Sequence, residues 1–415
     1  MTRAVVVGAL RTRASFPETS TLHGYSTFAM RSFFPVTWMG ALAAISVVCG
    51  CAAEPRPEPA APVAPTRVDL AARIVTPDDV TTEPELAHKA ERLLMIQSWQ
   101  EAIDAYRTLI AADPAGPHAA DYMFNLGLAL EGAEERDKAR DVFLDLAHRF
   151  PDGPRARSAL VRSATLDAYI EDWKALGAIG DEILARKDLE DVDRLVGLGS
   201  RGLARVELGD DINAAADIHD GLDLSDQLHY GERDVLPVAV AQLRFALGEL
   251  RRVRSEKISF DPLPPDFVDQ LEVRCGGLLE AQAAYAKAVQ SIDPHWAAMS
   301  GYRVGQMYRE LHRALMQIPP PTTSKTERQK QIFYAFMHKR YRVLLEKGLK
   351  EIDQTIALGE RTSDSSAWIT RARDAKHEME TALADEKAQM EKMPFTEADI
   401  DEALKQLAKK TPPRH

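Results

Sequence analysis

A few residue patterns in this chain have the types and spacing of chemical sites. Gly197-Leu198-Gly199-Ser200-Arg201-Gly202 spells GxGxxG, which cradles a pyrophosphate when it follows a strand and opens a helix. Here it lies inside a segment of helical period, so no dinucleotide cradle is expected. Asp217, Asp220, Asp223 and Asp226 recur every three residues, a density that suggests a cation. The spacing and closing glutamate of a calcium loop are missing, so a solvated helix face or helix end is the expectation. Cys275 stands alone in the body of the chain and is expected to be a buried small hydrophobe. No CxxC pair or Cys/His cluster has zinc spacing. None of the 11 histidines forms HExxH, and His118, His148, His219 and His229 fall on separate predicted helices. GxSxG and the P-loop are also missing from the sequence. No catalytic residue, cofactor or metal is therefore expected.

The elements around these residues carry more information. Glu101-Ala102-x3-Tyr106-x2-Leu109-x4-Pro114 returns as Lys138-Ala139-x3-Phe143-x2-Leu146-x4-Pro151. The offset is 139 − 102 = 37 residues, close to the roughly 34-residue period of helix–turn–helix solenoids. Apolar residues three and four apart put one stripe on each helix, and Ala102, Ala139 and Gly127 let paired helices approach closely. The proline after each second helix ends the unit. One pair cannot bury its own stripe, whereas stacked pairs can. Met123, Leu126, Gly127, Leu130, Ala139, Phe143 and Pro151 resemble the tetratricopeptide repeat family. Leu86, Ala90, Leu93, Ala102, Tyr106 and Pro114 fit the same pattern.

Weaker copies follow. Trp173-Lys174-Ala175-Leu176 stands where a second helix should start, and Gly202 and Ala214 take small positions. Ala281, Tyr285, Ala288 and Pro294, then Trp296, Gly301, Gly305 and Tyr308, mark a further unit. Gly348, Ile352 and Gly359, with Trp368 opening another helix, mark the last. The fold expected is all-α: a tetratricopeptide-like solenoid of antiparallel helix pairs with an irregular C-terminal half. The resemblance implies a concave groove lined by first helices, with Asp121, Phe124, Asn125, Leu128 and Glu131 facing it. The lysines by which some family members clamp a C-terminal carboxylate are missing from these helices.

The N-terminus reads as an address. Met30-Arg31 precedes an apolar run over 33–48 that is short for a bilayer span of about 20 residues. Small residues follow, as in a secretory signal. Val48, Gly50 and Cys51 resemble a bacterial lipoprotein box, which implies cleavage before Cys51 and lipidation of its thiol. Ala52 in place of aspartate implies the outer membrane, facing the periplasm. Met30 is the expected true start. The Pro/Ala-rich segment after Cys51 is an extended tether.

Two proline clusters interrupt the helical pattern, at 260–265 and 318–324. The expected organisation is therefore an upstream extension plus signal peptide (1–50), the tether (51–80), N-terminal repeats (81–254), a Pro-rich linker (255–266), a C-terminal helical region (267–394), and a capping helix with tail (395–415). A formal net charge of −11 argues against a general nucleic-acid binder. Over 325–350, 8 bases stand against 2 acids. Phe336, Lys339, Arg340 and Arg342 there are a candidate docking helix, with Phe333, Tyr334 and Tyr341 interleaved. Its target would be an acidic protein, an anionic lipid surface, or the acidic half of another copy of the chain. Trp296-x4-Gly301-Tyr302-x2-Gly305 is similar to repeat lipoproteins of motility and secretion machines. A protein-interaction scaffold in an envelope complex is thus expected. An accessory role in outer-membrane protein assembly, or a periplasmic hydrolase with appended repeats, are the alternatives.

Overall fold

Apolar stripes of helical period, each stopped by a turn, build a chain of helices. The computed structural model describes residues 82–402 except 231–235, 292, 323, 363–365, 397 and 401. Segment 1–50, Cys51 and the tether 51–80 lie outside the described residues, as does most of 395–415. The helices are α1 (Glu83–Met95), α2 (Trp99–Ala112), α3 (Ala119–Gly132), α4 (Arg136–Arg149), α5 (Ala156–Ile170), α6 (Trp173–Ala185), α7 (Asp191–Glu207), α8 (Asp211–Gln227), α9 (Val238–Glu256), α10 (Phe267–Ala288), α11 (Pro294–Met316), α12 (Glu327–Thr362) and α13 (Ala367–Lys392). Among the described residues no helix is long and apolar enough to cross a membrane.

Consecutive helices pair antiparallel, and the pairs stack into an all-α solenoid. The turn inside each of the first four pairs is marked by a left-handed residue: Gln97, Glu134, Glu171 and Gly209, with φ of 61°, 62°, 64° and 88°. Only one is glycine, the residue that adopts this conformation without strain. Between pairs, Pro114-x-Gly116-Pro117 recurs as Pro151-x-Gly153-Pro154. Each first helix then presents a small residue to a larger one on its second helix. A Cβ at Gly127 would lie 2.5 Å from the Phe143 ring, and Gly202 meets Ile218, Gly248 meets Tyr285 and Gly305 meets Ile352 in the same way. Ala102, Ala139, Ala214 and Ala281 are each fully buried one turn before the larger residue.

The C-terminal pairs keep this contact while their helices lengthen. The first eight helices have 13 to 17 residues, whereas α12 has 36. The stretch 255–266, expected to separate two domains, instead lies inside one helix pair. It joins α9 to α10, whose Gly248–Tyr285 contact is that of a single repeat. One hydrophobic core runs from Ala90 to Ile400 across it. The prolines end a helix there, but the apolar stripes on both sides bury against each other. Cys275 is buried, as expected of a small hydrophobe.

Close approach of α6 and α7 gives a testable contrast. A Cβ on Gly180 would lie 2.9 Å from the backbone nitrogen of Arg201 and 3.1 Å from the Gly197 carbonyl oxygen. Glycine to alanine inside a helix ordinarily stabilises by about 1 kcal/mol. Gly180→Ala must instead push two backbones apart and is expected to destabilise by about 1–3 kcal/mol in urea titrations. Gly276→Ala in α10, where a Cβ meets nothing within 4 Å, is expected to shift the midpoint the other way.

Candidate functional site

The predicted groove residues come together on α3. Asp121 accepts a 2.8 Å hydrogen bond from Arg155 Nε, and Glu131 accepts one of 2.7 Å from Arg162 Nη1. Asn125 Nδ2 donates to the Tyr106 hydroxyl at 3.2 Å, and Leu128 is half-buried. Phe124 departs from the expectation of an exposed groove position. It is 8 % exposed and packs edge-on against Phe143 at 5.4 Å. The Arg155 and Arg162 guanidinium carbons lie 4.9 and 5.9 Å from its ring centre. Phe124 therefore forms the floor of the face, and the two arginines from the next repeat form its surface. Exposed pairs of this kind contribute roughly 0–1 kcal/mol each, so a ligand can exchange with them at little cost. Tyr122, which sequence reasoning passed over, stands at the acidic end of this face. Partial burial and then the Glu83, Glu91 and Asp121 carboxylates raise its hydroxyl above the ordinary value.

Farther along the solenoid the same face closes. Counted from the small packing residue, the positions of Asp121, Phe124, Asn125, Leu128 and Glu131 become Val196, Gly199, Ser200, Leu203 and Val206 in α7. All five are buried. In α9 they become Gln242, Phe245, Ala246, Glu249 and Arg252, of which only Arg252 reaches solvent. Ser200 meets Gln242 at 3.1 Å, and Phe245 meets Trp296 of α11 at 5.3 Å. The chain's own later helices thus occupy what would be the middle of the groove.

An ion cluster sits at that closure. Glu249, with no exposed surface, contacts Arg252 Nη2 at 2.5 Å and Arg303 Nε at 3.0 Å, and accepts from the Tyr285 hydroxyl at 2.5 Å. Glu207 lies 3.8 Å from Arg303. The two arginines outweigh burial and keep Glu249 ionised, below the ordinary carboxylate range. Burial, and then the Glu249 charge beside it, push Glu207 up. A carboxyl raised on folding binds more protons in the native state, and stability then falls as pH rises from its ordinary value of 4.5 toward the raised one. Glu207→Gln is expected to flatten this slope. Its advantage over the unsubstituted protein should be larger at roughly pH 9 than at roughly pH 6 in matched urea titrations.

The candidate docking helix lies at the start of α12 and does not form one exposed surface. Phe336 is 4 % exposed, and Phe333 and Tyr341 are buried with it; Tyr334 is exposed. Lys339, Arg340 and Arg342 are half-buried, with Arg342 paired to Glu346 at 3.2 Å. The aromatic residues face the core because α12 packs between α11 and α13, so the reading of Phe336 as a surface anchor is corrected. Asp217 departs from its solvated-face expectation for a similar reason. It is 3 % exposed and held by Arg201 and Arg205 at 2.7 and 2.5 Å. Gly202 of the GxGxxG pattern lies within α7, packed on Ile218.

No family model matches this chain. No curated protein matches it either. Solved structures do. One is a tetratricopeptide repeat protein from Parabacteroides merdae ATCC 43184, 12% identical, covering 70% of this chain and 98% of its own, with a TM-score of 0.37. Another is a TPR repeats protein from Bacteroides fragilis NCTC 9343, 11% identical, covering 73% and 100%, with a TM-score of 0.26.

Proposed function

We infer that this protein is a scaffold of the bacterial envelope. A lipid on Cys51 holds it at the outer membrane, and a partner protein binds across the first helices α1, α3 and α5. One observation carries the binding part of this reading. Counted in the same way, most of the groove-facing register reaches solvent on those three helices, Phe124 of α3 and Ala168 of α5 being buried, whereas the chain itself fills it on α7 and, Arg252 apart, on α9. Stacked first helices form extended concave surfaces of the kind that take peptides and partner helices. The Pro/Ala tether gives this face reach from the membrane. The lipoprotein-type segment supports the location.

The test is capture from solubilised membranes. Asp121→Arg and Leu128→Glu are expected to reduce partner recovery by roughly tenfold or more while the circular-dichroism spectrum and thermal midpoint stay unchanged. Phe124 is unsuitable as a probe, because its removal would leave a cavity against Phe143. Undiminished capture by both variants would move the binding surface elsewhere. Intact mass of the membrane-extracted protein tests the anchor. A chain starting at Cys51 with acyl groups supports it, and an unmodified start upstream overturns it.

A further inference from the structure

The end of α5 is met by chain from three distant places. Tyr169 stacks on His295 with ring centres 4.0 Å apart, its hydroxyl donates to Asp293, and the Arg136 guanidinium lies 5.9 Å from its ring centre. Two residues on, Glu171 pairs with Arg371 at 2.6 Å, and Arg371 also lies over Trp368 at 4.5 Å. Arg136 opens α4, His295 is in the first turn of α11 and Arg371 is near the start of α13. Residues from the N-terminal ends of three helices, ends that carry partial positive charge, therefore meet at one junction.

The existing anions answer this charge incompletely. Asp293 serves α11, accepting from the His295 and Trp296 amides at 2.8 and 3.1 Å. Glu171 serves Arg371. The N-cap of α4, Glu135, makes no side-chain cap bond. His295 is 4 % exposed, and neither of its ring nitrogens has a hydrogen-bond partner. Burial, then the Arg136 and Arg371 charges, push its imidazole down to about 3, so the ring is neutral and offers one N–H.

We propose that this junction binds a small oxyanion between Arg136 and Arg371, with the His295 ring N–H as a third donor. Phosphate and carboxylate share the chemistry required: several acceptor oxygens and negative charge, matched to planar guanidinium forks. Glu171 is the competitor already on Arg371. The site shares no residue with the α1–α3–α5 face and stands or falls independently of it.

The full-length protein titrated at low ionic strength with inorganic phosphate, and separately with N-acetylglutamate, tests this by calorimetry and by the imidazole NMR signal of His295, assigned from its loss in His295→Phe. Saturable binding that moves that signal is expected. Arg136→Gln should weaken it by roughly tenfold or more. Glu171→Gln, which frees Arg371, should tighten it by about threefold or more. Response to phosphate alone assigns a free anion, and response to N-acetylglutamate assigns an acidic side chain of a partner. The proposal is overturned if chloride at equal ionic strength moves the signal as far, or if both variants bind like the unsubstituted protein. Should Arg136→Gln not fold, an unchanged affinity in Glu171→Gln overturns it alone.

Discussion

Replacing Glu249 with alanine is expected to cost about 3–5 kcal/mol of folding stability, because it leaves buried positive charge without its partner. Arg252 and Arg303 both reach this carboxylate, and the Tyr285 hydroxyl donates to it. Arg252 retains Glu256 at 2.7 Å, whereas among the described residues the one other carboxylate on Arg303 is Glu207 at 3.8 Å, a group already held toward its protonated form, and its 2.8 Å hydrogen bond to Gln306 carries no charge. The loss should therefore fall mainly on the α9–α11 contact. Urea unfolding checks the magnitude, and a loss below about 1 kcal/mol would mean the cluster is solvated rather than sealed. Glu249→Leu combined with Arg303→Met should recover much of the loss, since apolar groups of similar volume replace buried ion pairs at small cost.

Trp296→Ala is expected to cost a similar 3–5 kcal/mol, and its consequence is architectural. The indole is fully buried and meets Tyr169 of α5 at 5.8 Å and Phe245 of α9 at 5.3 Å. It therefore joins helices that nearest-neighbour stacking alone would keep apart. In a simple solenoid each repeat touches only its neighbours, and unfolding can proceed in parts. Here the truncation should split one cooperative transition into two, with tryptophan fluorescence and far-ultraviolet circular dichroism no longer coinciding. Coincident transitions with little loss of stability would show that the long-range closure contributes nothing to cooperativity.

Much of the repeat was legible without coordinates. Ala102, Tyr106, Ala139 and Phe143 sit where their spacing demands, each without exposed surface. The small positions Gly202, Ala281 and Gly348 fell in register even where the copies had decayed. Other features escaped. Gly248 was not seen as a packing glycine, because a proline-rich loop and a longer second helix separate it from Tyr285. The left-handed residues Gln97, Glu134 and Glu171 gave no glycine signal, although their spacing repeats the 37-residue offset. Phe336 looked like a docking aromatic because periodicity marks an apolar side chain without saying whether a third helix covers it. Asp217 looked solvated because its partners, Arg201 and Arg205, belong to the preceding helix.

Residue spacing along the chain specified the helix pairs and their local stacking. Those depend on which residues recur every three or four positions, and that is written within some forty residues of chain. The tertiary structure alone decided where the concave face stays open, which carboxylate is stranded beside Arg303, and that Arg136, His295 and Arg371 share one junction. Small rotations between successive pairs accumulate over several repeats before α11 meets α5, and no local pattern encodes their sum.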